Sequence, residues 1–183
     1  HRTGLYPIPL PSGIGLEACG MVEEIGSDVT LFKVGDRVAH SSMPIGSYSE
    51  KQIFPQEKLV LVPEGISNEI ASVIMLKGIT AEYLLHRAYP AKKGDKVLFH
   101  AAAGGVGQIL CQWANAIGCT VIGTVGSKEK EAIAKQNGCH HVINYTDHNF
   151  VEEVEKIVGK NGIDVVYDGV GASTFEGSIE CLK

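Results

Sequence analysis

The hydrophobic and polar positions change period about a third of the way along the chain. Residues 1–65 carry short apolar and β-branched runs: ACGMVEEIG (18–26), DRVAH (36–40), GSYSEKQIF (46–54) and KLVLVP (58–63). GSD at 26–28 and VGD at 34–36 supply turn signals between them. Runs of this length cut by Gly, Pro, Asp and Ser predict the strands of a small, irregular β-barrel or β-roll. From about residue 66 the period lengthens. Ser67 is placed to N-cap a helix with Ile70, Val73, Ile74 and Lys77 at helical spacing, and a second helix is predicted over 80–88.

Beyond KKGD (92–95) strands and helices alternate. KVLFHA (96–101) predicts a strand, and Val106, Ile109, Leu110, Trp113 and Ile117 then recur as the stripe of an amphipathic helix. TVIGTV (120–125) predicts a strand, KEKEAIAKQNG (128–138) a helix closed by Gly138, and HVINY (141–145) a strand. NFVEEVEKIVG (149–159) predicts a helix, and IDVVYDGVG (163–171) a strand running into a glycine turn. Such alternation means βαβ units and a parallel sheet. The unbroken apolar runs VLF, TVI and VVY agree, because parallel strands are buried on both faces. A dinucleotide-binding sheet usually has about six strands, so the expectation is that this chain stops before the last of them.

Composition narrows the picture. The 183 residues allow one large domain or two small ones. With 44% hydrophobic and 20% charged residues, an ordinary core can form. The balance of 16 Lys+Arg against 21 Asp+Glu, net −5, disfavours nucleic acid as a partner, because phosphate-backbone binding needs clustered cations. No apolar run is long enough for a membrane span. HRTGLYPIPLPSG at the start lacks the apolar segment of a secretory signal, and the missing initial Met leads us to expect that the native N-terminus lies upstream. The five cysteines include no CxxC pair and read as inert reduced thiols, which fits a cytoplasmic protein.

The sharpest motif is AAAGGVG at 101–107, directly between a predicted strand and a predicted helix. Ala102-x-Gly104-x-x-Gly107 is the A-x-G-x-x-G form of the dinucleotide fingerprint. Small residues permit the tight turn and the approach of backbone N–H groups to a pyrophosphate, while Gly107 lets the helix pack close to the strand. A phosphate loop of the Walker type is excluded, since no Gly-Lys-Ser/Thr follows. The end of the second strand selects the cofactor. NAD sites place a carboxylate there, about 20 residues on, to bind the ribose hydroxyls. Here Gly126 is followed by Ser127, Lys128 and Lys130, with Glu129 among them. A charge-assisted contact from one lysine is worth about 1.5–3 kcal/mol, so NADPH is favoured over NADH. Positive charge at a helix start opposes the helix dipole, which argues that these lysines have a further use.

With these residues in place, GLYP (4–7), LPSGIGLEACG (10–20), VGDRV (34–38), KGITAEYLL (77–85), AAAGGVG, IGTVGSKEK (122–130), INY (143–145) and VYDGVG (166–171) resemble the NADPH:quinone oxidoreductases. These form the zeta-crystallin-like, zinc-free branch of the medium-chain dehydrogenase/reductase superfamily. The resemblance implies an α/β protein with a partial GroES-like β-rich catalytic domain over 1–77 and a partial Rossmann doubly wound parallel sheet over 78–183. Cofactor and quinone would occupy the cleft between the domains. It further implies that Ala103, Gly104, Gly105, Val106 and Gly107 hold the pyrophosphate and that Gly126, Ser127, Lys130 and Tyr145 frame the 2′-phosphate. Thr80 would approach the nicotinamide ribose or phosphates, Gly169, Val170 and Gly171 would line the nicotinamide side, and Tyr6 would sit beside nicotinamide and substrate. A cytoplasmic homodimer is also implied.

Zinc-dependent relatives carry Gly-His-Glu, whose His is a metal ligand. Here the stretch reads Gly15-Leu16-Glu17, and leucine has no donor atom. His40, His86, His100, His140 and His141 show no i, i+4 ligand spacing and read as ordinary histidines, so no metal is expected. A quinone is electron-poor and accepts hydride without a Lewis acid, leaving the protein to align the ring and exclude water. Tyr6 and Tyr48 are candidate proton donors. Two alternatives stand beside this reading: a 2-enoyl-thioester reductase with Tyr6 as proton donor, and a non-enzymatic crystallin-like or RNA-binding role, which the net charge counts against.

Overall fold

The computed structural model describes Gly4 and residues 6–183, which divide into two compact units, His1–Leu76 and Lys77–Lys183. In the first unit β1 (Ala18–Met21), β2 (Arg37–His40) and β3 (Val60–Leu61) form an antiparallel sheet in the order β1-β2-β3. Cys19 pairs with Ala39 and Val38 with Leu61. The VGD turn behaves as its residues predict: Gly35 takes φ +91 and its N–H reaches Val22 O, while Val22 N–H reaches Asp36 O. Arg37 binds Asn68 Oδ1 through Nε and Ile66 O through Nη2, fixing the segment that leads into the following helix.

The strand expected over 46–54 is absent. Gly46 sits at φ +135, a conformation that ends a strand, and the N–H groups of Gly46 and Ser47 both bond to Gly15 O. Tyr48 and Ile53 are exposed, so among the described residues neither packs against a sheet. Phe54 stacks on His40 at 3.7 Å between ring centroids.

Helix α1 (Asn68–Tyr83) starts as Ser67 predicts, with Ile70 N–H bonded to the Ser67 hydroxyl. The two helices expected here are one. The chain passes Gly78 without a break and then widens into a π-turn over Leu84–Ala88, closed by Tyr89 N–H on Leu84 O. The Tyr167 hydroxyl donates to Leu84 O at 2.9 Å and fastens this turn to the sheet, and burial pushes its pKa up to about 12.

The second unit holds a parallel sheet of β4 (Lys96–Phe99), β5 (Thr120–Val125), β6 (His141–Asn144) and β7 (Val165–Tyr167), in the order β6-β5-β4-β7. Helices α2 (Gly105–Ile117), α3 (Lys128–Gln136), α4 (Phe150–Val158) and α5 (Phe175–Cys181) cover it. The two-residue period of the strands sorts the core into two layers. Val97, Phe99, Val121 and Val125 pack with Ala81, Leu85, Leu110, Ala114 and Ala134 on one face. Leu98, Ile122 and Ile143 pack with Val154, Ile163 and Cys181 on the other. Helices on both faces of a parallel sheet make the doubly wound α/β arrangement.

The buried stripe of α2 is Gly107, Leu110, Cys111 and Ala114, rotated from the predicted one. Small residues occupy the contact line because it is pressed against the sheet. Val106, Ile109 and Ile117 pack at its rim, and Trp113 lies outside with His86 at 5.1 Å. Helix α5 was not predicted. All five cysteines are free thiols, four of them buried, and burial pushes the Cys181 thiol up to about 11.

Candidate functional site

Strand β4 has β5 on one side and β7 on the other, so the chain reverses its winding direction between β4 and β7. In open α/β sheets this switch point, at the carboxyl ends of the strands, is where dinucleotides bind. The glycine loop after β4 and the loop after β7 both lie there. His100 and Ala101 leave β4, and Ala101 adopts φ +59, a left-handed conformation that costs a residue with a Cβ about 1 kcal/mol. Ala102 is fully buried and its N–H bonds to Thr124 O. Gly104 caps α2 through its backbone alone, leaving no side chain over the helix N-terminus. No acceptor among the described residues meets the N–H groups of Gly105 and Val106, the first two of the helix.

Gly107 sits where the helix presses on the strand end. A Cβ there would stand 2.5 Å from Ala102 O and 2.6 Å from Ala101 O. Above the loop, the stem of Lys77 lies 3.0 Å from where a Gly105 Cβ would be, so this α1 lysine runs across the glycine turn. Thr80 stands one turn further along the same helix.

At the end of β5, Gly126 faces Tyr145 from the end of β6. A Cβ on Gly126 would collide with the Tyr145 hydroxyl and stand 2.9 Å from its Cζ. Ser127 N-caps α3 and accepts from Lys130 N–H at 3.4 Å. The Glu129 carboxylate folds back onto its own N–H and the Ser127 hydroxyl, and these bonds hold its pKa down. Lys128 and Lys130 are exposed on the first turn. The cradle therefore fits a dinucleotide: a side-chain-free helix start, a strand-end glycine under the Tyr145 ring tip, and cations where a carboxylate would select NAD.

The loop after β7 carries Gly169 and Val170, exposed, and Gly171 at φ +89. It is fastened by Asp168, whose Oδ1 accepts from Val170 N–H, Gly171 N–H and the Thr174 hydroxyl, and whose Oδ2 accepts from the Ser178 hydroxyl. Burial works to raise the Asp168 pKa, yet these bonds outweigh it and hold the group at about 2. Of the remaining candidates, Tyr6 and Tyr48 belong to the first unit, with side chains 66% and 79% exposed. Among the described residues no group of three or more His, Cys, Asp or Glu side chains is arranged to hold a metal ion.

The alcohol dehydrogenase GroES-like domain profile matches residues 1–90 and the zinc-binding dehydrogenase profile matches residues 105–183. A quinone oxidoreductase of Pseudomonas aeruginosa is 50% identical over 183 residues, covering 100% of this chain and 56% of that protein. The chain belongs to the quinone oxidoreductase family of medium-chain dehydrogenases/reductases. A crystal structure of Escherichia coli quinone oxidoreductase complexed with NADPH superposes with a TM-score of 0.95 at 47% identity, over 100% of this chain and 56% of that one. A 2-haloacrylate reductase from Burkholderia is 47% identical over 190 residues, covering 100% of this chain and 57% of its own length. The chain thus spans little more than half the length of these quinone oxidoreductase relatives. Sequence reasoning passed over four residues of this site. Lys77 and Asp168 lie within KGITAEYLL and VYDGVG and His100 reads as an ordinary histidine, yet none of these, nor Ser178, has a spacing that assigns it a role in the site.

Proposed function

We propose that the full-length protein reduces quinones or related electron-poor substrates with NADPH. The observation that carries this is the end of β5, where the Tyr145 ring tip packs directly over Gly126 and the next turn bears Ser127, Lys128 and Lys130 in place of a carboxylate. In this reading Ala103, Gly104, Gly105, Val106 and Gly107 hold the pyrophosphate, Gly126, Ser127, Lys130 and Tyr145 the 2′-phosphate, and Thr80 the nicotinamide ribose. Gly169, Val170 and Gly171 line the nicotinamide side. When bound, the cofactor supplies a hydride; the chain's residues orient it and exclude water. Tyr6 is the candidate proton donor.

Zinc independence rests on Leu16, which stands where zinc-dependent relatives have a ligating histidine. A 2-haloacrylate reductase among the relatives supports electron-poor alkenes as substrates beside quinones. Among the described residues no helix is long and apolar enough to cross a membrane. A cytoplasmic location and a homodimer complete the proposal.

Fluorescence titration with NADPH and NADH tests it, followed by a quinone turnover assay. The proposal expects NADPH to bind at least about 10-fold tighter, the effect of one charge-assisted contact. Equal affinities would mean that Lys128 and Lys130 are only solvated, and no binding of either would overturn the enzymatic reading.

A further inference from the structure

A directed chain of hydrogen bonds runs beneath the candidate nicotinamide loop. The His100 ring, 2% exposed at the end of β4, has Thr124 Oγ1 2.8 Å from Nδ1 and Ser178 Oγ 3.0 Å from Nε2. The Ser178 hydroxyl is 2.8 Å from Asp168 Oδ2. An ionised carboxylate only accepts, so the single hydroxyl proton of Ser178 goes to Asp168. Ser178 Oγ must then accept from His100, which puts the proton of a neutral ring on Nε2. Nδ1 is left as a lone pair and accepts from the Thr124 hydroxyl. Burial favours that neutral ring over the pull of Asp168. The direction of three bonds, from β5 through β4 and α5 to the loop after β7, is thus set by one carboxylate.

We infer that Asp168 is a positioning residue, which through Ser178 and His100 holds the loop 168–171 in place against the β4 end and so aligns the nicotinamide end of the cofactor. The inference rests on the NADPH reading above. Gly171 O accepts from the N–H groups of Thr174 and Phe175 at the start of α5, but the N–H groups of Val170 and Gly171 bond to Asp168, Gly169 and Val170 are exposed, and Gly171 needs φ +89. Side-chain packing does not fix such a segment, whereas a carboxylate with four donors does. His100 is itself tied to β7 by its N–H on Tyr167 O and held edge-on by Phe150 at 5.0 Å. Ser178, 3% exposed, anchors α5 to the same ring. The relay therefore spans the switch point, joining the two strands whose ends frame the crevice.

Asp168→Asn tests the direction of the chain in the full-length protein. The amide oxygen keeps its bonds to Val170 N–H, Gly171 N–H and Thr174, while the amide N–H now faces Ser178. With its former acceptor replaced by a donor, the Ser178 hydroxyl is expected to turn to His100 Nε2, moving the ring proton to Nδ1. Long-range 15N–1H NMR of 15N-histidine-labelled protein reads this directly: Nε2–H in the native protein and Nδ1–H in the variant. A native Nδ1–H tautomer, or one unchanged by the substitution, overturns the relay. This readout needs no cofactor, so it stands apart from the NADPH reading.

Kinetics test the consequence. Ser178→Ala is expected to lower kcat for quinone about 10- to 100-fold, the cost of a misaligned reactant, with NADPH affinity within about 3-fold of native. Ser178→Thr, which keeps the hydroxyl, is expected to recover most of the loss. An unchanged kcat in Ser178→Ala, or a loss not recovered by Ser178→Thr, overturns the positioning role. A native protein that neither binds NADPH nor reduces quinone overturns the functional reading instead and leaves the tautomer result intact.

Discussion

Tyr145 lies directly over Gly126, with its ring Cζ 2.9 Å from the place a Gly126 Cβ would occupy. The two residues are 19 positions apart, and the parallel pairing of Val125 with Asn144 brings their strand ends together. Tyr145 is half exposed, so it is free to swing away. Gly126→Ala is therefore expected to leave stability within about 0.5 kcal/mol while weakening NADPH binding about 10-fold by displacing the tyrosine. Chemical denaturation and fluorescence titration of the same samples check both halves.

Gly107 differs because its neighbours are backbone. A Cβ would meet two carbonyl oxygens, at 2.5 and 2.6 Å, that cannot rotate aside. Gly107→Ala is expected to cost about 2–3 kcal/mol, the upper range of overpacking, as α2 lifts from the strand end. The midpoint of urea unfolding reads this, and a shift worth less than about 1 kcal/mol would show that the helix start adjusts freely.

Lys130 carries the cofactor preference, together with Lys128. Lys130→Ala is expected to weaken NADPH about 10-fold or more and to leave NADH nearly unchanged, since only the former has a phosphate to lose. Raising the salt concentration should narrow the native preference in the same way, because the lysine is exposed.

Asp168 gives stability a defined pH dependence. Its folded pKa of about 2 lies below the ordinary carboxylate value, so its contribution is full above about pH 4 and is lost as pH falls toward 2. The contribution is on the order of 2 kcal/mol. Unfolding free energies of the native protein and Asp168→Asn should differ by about this much at pH 7 and converge near pH 2; a gap that persists at pH 2 would trace to packing.

Tyr6→Phe separates the two candidate reactions. Protonation of a reduced quinone needs little help from the protein, so the loss on quinones is expected to stay within about 10-fold, below the roughly 100-fold or more that general acid catalysis supplies. Crotonyl-CoA is expected not to turn over with the native protein. Crotonyl-CoA turnover abolished by Tyr6→Phe would move the assignment to a 2-enoyl-thioester reductase.

Local rules decided much of this protein. Alternation of β4, α2, β5, α3, β6, α4 and β7 is written in runs of two-residue and 3.6-residue period, and the turn glycines sit where φ must be positive. The glycine loop was legible because strand, turn and helix N-terminus are contiguous in the chain. Where an element depended on a distant partner, the pattern misled or was silent. The 46–54 run alternates like a strand, but among the described residues its backbone meets only the irregular segment at Ile14 and Gly15 and forms no ladder. The face that α2 buries was set by how closely the sheet is approached, which favours Gly107 and Ala114 over Trp113. The relay from Thr124 to Asp168 joins four residues, the outermost of which, His100 and Ser178, lie 78 positions apart. Strand order brings them together, and hydrogen-bond direction depends on which groups meet, a property that periodicity along a single chain does not carry.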